Sequence, residues 1–421
     1  MRVAVLFAVL ACNPSPKGDT SPTTDDTDTV QDSGEPVSLF ADCAPHVADL
    51  GVTTGDGDCL QSETHADGVV QLRVRADCTD GEITGHLDKR HVVLVPPAPT
   101  QEALWLHLGG SGGQPTSTVN IGDAAVEAGY RFISLAYLNE PSIAGRCACP
   151  DGPRPLECEE KVRLEVLYGD EHTDWFEMAP EESIAHRLAA LLQALHKEQP
   201  SGGWDTYLTG EEPAWSQIAL SGFSQGGGMA GLIARDHASP RVMYLSKGAG
   251  SVSSALLDPD SAQSCSDDSD CDGGACCPLD GFQEDCTAEP GAENVCHEQV
   301  PGLWAHTGQD VDGDGLGDGG PETRATPAER QFGLIHLSEG AWAYSPEVFA
   351  LWGMGSRDDY TLAETAAPPF AAGVQLFNTD LAPRGSCSEH QSMGADACQP
   401  RNKDGEPVLR DAWLHAMTAT P

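Results

Sequence analysis

Gln217-Ile218-Ala219-Leu220-Ser221-Gly222-Phe223-Ser224-Gln225-Gly226-Gly227-Gly228-Met229-Ala230-Gly231-Leu232-Ile233 is the stretch on which the reading of this chain turns. It begins as a short buried strand, passes a tight glycine-flanked turn with Ser224 at its apex, and continues in small residues that suit a helix. A strained strand-to-helix turn of this kind lifts a serine hydroxyl clear of the end of a sheet. The bare Gly-x-Ser-x-Gly pattern is weak evidence. The chain holds 46 glycines and matches the pattern a second time at Gly109-Gly110-Ser111-Gly112-Gly113. Context separates the two matches. Ser111 is followed by Gln114-Pro115-Thr116 and by no small-residue helix.

Working outward from Ser224, strands are expected at residues 69–74, 91–97, 104–108 and 132–137 before it. Others are expected at 242–246, 332–336 and 374–377 after it. The near-continuous apolar runs suit a parallel sheet covered on both faces. Helices are expected at 124–129, 183–196, 346–352 and 408–417. In the second of these, Ile184, Leu188, Leu191, Leu192 and Leu195 share one face. Glu181 and Glu182 stand at its start, where acid complements the helix dipole, and His186 and His196 read as surface residues. Strands alternating with helices predict an α/β fold with a mostly parallel sheet flanked by helices.

The formal net charge is −42, from 23 Lys plus Arg against 65 Asp plus Glu. Such a chain does not bind nucleic acid or an anionic membrane surface through general electrostatics. Residues 1–12 read as a secretory signal of the lipoprotein type: one Arg, a short apolar run, then Val9-Leu10-Ala11-Cys12. Cys12 is the expected lipidation site and the only expected membrane attachment. An ordinary signal peptide is the alternative. Residues 13–40, rich in Thr, Asp, Ser and Pro, are expected to be a disordered tether. The expected location is the outer membrane or cell surface, otherwise the periplasm or medium. Residues 41–421 are then one large α/β domain interrupted by an insert at 258–322. In that insert Cys265, Cys271, Cys276, Cys277, Cys286 and Cys296 crowd among Asp, Ser and Gly, which predicts disulfides rather than zinc. The same insert carries Asp310, Asp312, Asp314 and Asp318 with Gly315 at the turn, the oxygen-ligand spacing of a calcium loop. A structural calcium ion is expected there. Pro321 holds the place of the closing Glu, and Glu322 follows it.

A serine nucleophile needs a base, an acid to orient the base, and donors for the developing oxyanion. Acid and histidine should follow the elbow in that order, the acid at the end of the second strand after it and the histidine beyond the next. Counting strands puts the acid at Glu339 and the base at His390. Asp380, Asp358 and Asp359 are alternative acids, and His336 is a rival histidine. Cys387 and Cys398 flank His390 and could close its loop. No cofactor is expected for catalysis.

Taken together, Leu106-His107-Leu108-Gly109-Gly110, Ser134-Leu135-Ala136-Tyr137, the Ser224 turn, the run from Phe332 to Glu339, and His390 resemble the α/β-hydrolase fold superfamily, within it bacterial secreted hydrolases. The resemblance spans residues 65–418 apart from the insert. It implies hydrolysis of a small-molecule ester or related acyl bond. It also gives the first Gly-rich match a role as an oxyanion loop, with backbone N–H groups of Gly110, Ser111 and Gln225 as donors. A non-catalytic surface binding protein on the same scaffold is the rival reading.

Overall fold

The computed structural model describes residues 58–147, 157–169, 171–173, 176–246, 251–253, 263–266, 270–271, 275–278, 294–297, 299–301, 303–306, 319–364 and 368–420. The signal with Cys12, the tether, and the acidic loop of Asp310, Asp312, Asp314 and Asp318 lie outside them.

The sheet strands are, in chain order, β1 (Leu60–Thr64), β2 (Val70–Arg75), β3 (Arg90–Val95), β4 (Leu104–Leu108), β5 (Arg131–Leu135), β6 (Ile218–Phe223), β7 (Val242–Leu245), β8 (Gln331–His336), β9 (Thr361–Leu362) and β10 (Leu376–Thr379). They form one sheet of order β1-β2-β3-β5-β4-β6-β7-β8-β10-β9. Pairing is antiparallel from β1 to β5 and parallel from β5 onward. The helices are α1 (Val119–Glu127), α2 (Ile143–Arg146), α3 (Cys158–Tyr168), α4 (Ile184–Glu198), α5 (Gln225–Asp236), α6 (Ser345–Leu351), α7 (Glu389–Gly394) and α8 (Arg410–Thr418). This is the expected α/β architecture, a mostly parallel sheet flanked by helices. Successive side chains on a strand point to opposite faces. On β4, Leu104, Leu106 and Leu108 therefore join α3, α4 and α5 in one core. Trp105 joins α1 and α8 in the other.

From β4 the chain first builds β5 on one side, then crosses back to place β6 on the other. The strand order therefore reverses between β4 and β6, and ligands of open α/β sheets bind beyond the carboxyl ends of the strands at such a point. Among the described residues, Gly110 and Ser111, Ser224 and Gln225, Glu339 and His390 each lie on a segment that follows the carboxyl end of one of these parallel strands.

The structure adds elements the pattern does not announce. Strand β1 is exposed throughout, so it shows no alternation. It pairs with β2 beside the Cys59–Cys78 disulfide. Helix α3 buries Arg163 and Glu165, which blurs its apolar face. Arg163 pairs with Glu159 at 3.3 Å and lies 4.7 Å over the Trp304 ring. Glu182 is a correction. Instead of complementing the α4 dipole, it is buried and accepts from the backbone N–H groups of Thr84 and Gly85, at 2.6 and 2.8 Å, and pairs with Arg187. Ser183 caps α4 in its place. A buried guanidinium demands a carboxylate more strongly than a helix end does.

In the insert, Cys265 pairs with Cys276 and Cys271 with Cys296, so these four thiols are not metal ligands. The end of that stretch and the residues just past it pack on the main core. Trp304 is buried against Trp352, and Arg324 donates to the Gly231 carbonyl of α5 at 2.9 Å.

Candidate active site

Ser224 joins β6 to α5 with φ 52° and ψ −118°. A serine held at positive φ is strained, at a cost of about 1–3 kcal/mol, and persists only where its surroundings fix it. Two glycines permit the turn. A Cβ at Gly222 would run into the Gly226 carbonyl, and one at Gly226 into the Leu108 carbonyl of β4. The Ser224 N–H donates to Leu245 at 3.0 Å, and its carbonyl accepts from Gly228 at 3.1 Å. Its Oγ has no hydrogen-bond partner among the described residues.

Glu339 stands just past β8, with its side chain 1% exposed. Its Oε1 accepts from Ser246 Oγ at 2.6 Å and from the His336 N–H at 2.9 Å. Its Oε2 meets His390 Nδ1 at 2.6 Å. All three contacts hold the carboxylate in one orientation. His390 lies in the first turn of α7, which Ser388 and Gln391 cap reciprocally. The Cys387–Cys398 disulfide closes its loop. The ring packs on Phe223, centroids 4.9 Å apart, directly before Ser224. No hydrogen bond joins Ser224 Oγ to His390 among the described residues; such bonds often tighten only when substrate binds.

The alternatives are placed elsewhere. The His336 ring accepts at Nδ1 from the Ser338 N–H, 3.0 Å, and donates at Nε2 to the Leu381 carbonyl, 3.1 Å. Both ring nitrogens are therefore occupied. Asp380 is exposed, and its N–H bonds Glu364. Asp359 closes a capping box with Ser356 at the surface, and Asp358 is exposed beside it. Sequence reasoning missed Ser246, which holds Glu339 from the end of β7 at φ 55°. Its one signal is its position at the end of the strand next to β6.

The glycine-rich loop, 109–113, follows β4 and lies against the elbow. A Cβ built on Gly110 would stand 3.2 Å from the Ser224 Cβ. Among the described residues the backbone N–H groups of Gly110, Ser111 and Gln225 have no acceptor. The Gln225 side chain ties the loop down: its Oε1 accepts from Ser111 Oγ at 2.9 Å and from the Ile143 N–H at 3.2 Å. His107, one turn of the strand below, is buried with Nδ1 2.9 Å from Ser221 Oγ. Burial lowers its pKa to about 3, so it is a neutral core residue.

The His390 loop is also pinned through Asp396. That carboxylate accepts from the N–H groups of Val119 and Asn120, at 2.7 and 3.2 Å, at the start of α1. Burial raises its pKa from 3.8 to about 6, against the pull of those two bonds. A carboxyl whose folded pKa lies above its unfolded one stabilises most when protonated. Its contribution is complete below about pH 3.8 and is lost as pH rises through about 6. Asp396→Asn keeps an acceptor and cannot ionise. Urea midpoints at about pH 5 and about pH 8 are expected to fall less for the variant than for the wild type. An equal fall in both would disprove the assignment.

No family model matches the chain, and no curated protein matches it in sequence. Solved structures do. A dienelactone hydrolase from Anabaena variabilis matches at 17% identity over 45% of this chain and 64% of that one, with a TM-score of 0.23. An S-formylglutathione hydrolase from Agrobacterium tumefaciens matches at 15% identity over 49% and 65%, with a TM-score of 0.27. The chain thus spans slightly less than two thirds of either relative. A tannase from Lactobacillus plantarum matches at 14% identity over 43% and 36%, with a TM-score of 0.22.

Proposed function

We propose that the protein is an exported serine hydrolase that cleaves carboxylic esters or related acyl bonds. Ser224 Oγ attacks the acyl carbon while His390 Nε2 takes its proton. Glu339, bonded to Nδ1, fixes the tautomer and stabilises the imidazolium that forms. The N–H groups of Gly110, Ser111 and Gln225 receive the oxyanion. His390 then returns the proton to the departing alcohol, and water repeats the sequence on the acyl-enzyme.

The observation that carries this reading is the 2.6 Å bond between buried Glu339 and half-exposed His390, beside a serine held at positive φ. A scaffold that only bound a partner would gain nothing from a strained serine or from a buried carboxylate committed to one imidazole. Export and lipid attachment at Cys12 belong to the same proposal. The disulfides Cys59–Cys78, Cys147–Cys158, Cys265–Cys276, Cys271–Cys296 and Cys387–Cys398 support an oxidising compartment.

The test is labelling of the purified protein with a fluorophosphonate, together with turnover of p-nitrophenyl esters of graded acyl length. Stoichiometric adduct on the peptide containing Ser224 is expected, with hydrolysis of at least the short esters. No adduct and no turnover would leave the binding-protein reading in its place.

A further inference from the structure

The donors proposed for the oxyanion are backbone N–H groups, and each belongs to a peptide unit whose carbonyl lies one residue earlier. The Gly110 N–H shares its peptide with the Gly109 carbonyl, and the Ser111 N–H shares its peptide with the Gly110 carbonyl. Both carbonyls are held from behind by side chains of the segment after β5. Tyr137 Oη donates to the Gly109 carbonyl at 2.6 Å. Asn139 Nδ2 donates to the Gly110 carbonyl at 2.6 Å and to the Gly113 carbonyl at 3.1 Å. The Asn139 carbonyl in turn accepts from the Gly112 N–H at 3.1 Å. Behind Asn139 stands Lys89, whose Nζ donates to Asn139 Oδ1 at 2.7 Å.

Tyr137, Asn139 and Lys89 are all buried, at 1%, 2% and 3% exposure. Lys89 makes no ion pair in contact among the described residues, and Asn139 is its hydrogen-bond partner. Burial lowers its pKa against the longer-range attraction of Glu140 and Asp88, and an ammonium taken out of water with no carboxylate in contact is costly. The ammonium and two amide dipoles are aligned head to tail. The Lys89 ammonium points at the Asn139 amide oxygen, the amide nitrogen at the Gly110 oxygen, and the Ser111 N–H at the far end faces away from that carbonyl. Bonds aligned this way strengthen one another.

We infer that Tyr137, Asn139 and Lys89 are positioning residues that fix and polarise the Gly109–Gly110 and Gly110–Ser111 peptides, so that a buried positive charge acts on the oxyanion through two intervening amides. This rests on the proposed hydrolase reading. It is specific to the transition state. The ester carbonyl of bound substrate carries little charge, whereas the tetrahedral oxygen carries nearly a full one. Loss of the relay therefore lowers kcat and leaves KM nearly unchanged.

The test uses the full chain with p-nitrophenyl butyrate as substrate and a trifluoromethyl ketone as transition-state analogue. The ketone adds Ser224 Oγ to its carbonyl carbon, passes the serine proton to His390, and leaves an oxyanion on its former carbonyl oxygen. Asn139→Asp keeps the size and can ion-pair with Lys89, but turns acceptors toward two carbonyls. It is expected to lower kcat about 100-fold and to raise the analogue's Ki by a similar factor, with KM within about threefold. Lys89→Met and Tyr137→Phe are expected to do the same by about tenfold each. A purely structural role would instead shift thermal midpoints without a matched loss of kcat and analogue affinity. The inference is overturned if analogue affinity stays within about twofold of wild type in Tyr137→Phe, which deletes one oxygen and decides the matter should the other two not fold. If wild-type protein neither turns over the ester nor binds the ketone, the hydrolase reading itself is at fault. If wild type is active, Ser224→Ala is inactive and the three variants match wild type, only the relay is wrong.

Discussion

Ser224→Ala is expected to lower kcat/KM for p-nitrophenyl esters by at least about 10⁴-fold and to abolish fluorophosphonate labelling, while thermal stability holds. The two readouts rest on different features of the turn. The chemistry requires Oγ, because no other group at the carboxyl edge of β6 can form the acyl-enzyme. Stability does not require it, because Oγ has no partner among the described residues. Alanine tolerates φ 52° no better than serine does, so strain is unchanged. Loss of activity with the thermal midpoint within a few degrees therefore points to chemistry. Activity above about 1% of wild type would show that Ser224 is not the nucleophile.

Glu339→Gln carries the next largest effect, an expected fall in kcat of about 10³- to 10⁴-fold. The reason lies in which oxygen does what. Oε1 accepts two hydrogen bonds, from Ser246 Oγ and the His336 N–H. In the glutamine variant that position must stay an oxygen, because an amide NH₂ there would face the His336 N–H donor. The amide nitrogen is then forced toward His390 Nδ1, which must accept. The imidazole proton moves to Nε2, and the base can no longer take a proton from Ser224. Binding should change little, so KM stays near wild type. Asp380→Asn serves as the contrast and is expected to leave kcat unaltered, since Asp380 is exposed at the end of β10. Wild-type kcat in Glu339→Gln, or a large loss in Asp380→Asn, would reverse the choice of acid.

Legibility differs sharply between parts of this molecule. The parallel strands were readable because burial on both faces forces near-continuous apolar runs, as in residues 132–135 and 242–245. Helix α4 was readable because one face is apolar and the other solvated. Strand β1 was not, because it is exposed on both sides and its place is fixed by pairing with β2 and by a disulfide. Helix α3 was not, because it buries charged residues: Arg163 lies against Trp304 of a distant segment, and Glu165 accepts from the His172 and Met178 N–H groups just beyond the helix.

What the sequence by itself determined is the α/β architecture, the Ser224 turn, and the strand ends beyond which an acid and a histidine had to lie. These follow from local rules: hydrophobic periodicity, glycine permissiveness, and the parallel order that sends successive loops to one edge. What only the tertiary structure decided is which of several acids meets which histidine. Counting strands selects Glu339 but leaves Asp380, Asp358 and Asp359 as alternatives. The four acids differ in burial and in donors supplied by Ser246 and His336, which lie on neighbouring strands. The support behind the glycine loop is of the same kind. Lys89 stands just before β3, and Tyr137 and Asn139 lie together after β5; the bonds from Lys89 to Asn139 and from Tyr137 and Asn139 to a loop that begins at Gly109 exist only once β3, β4 and β5 are packed side by side. Hydrogen bonds between distant segments leave no periodic trace in a chain, because their strength depends on burial and direction rather than on spacing.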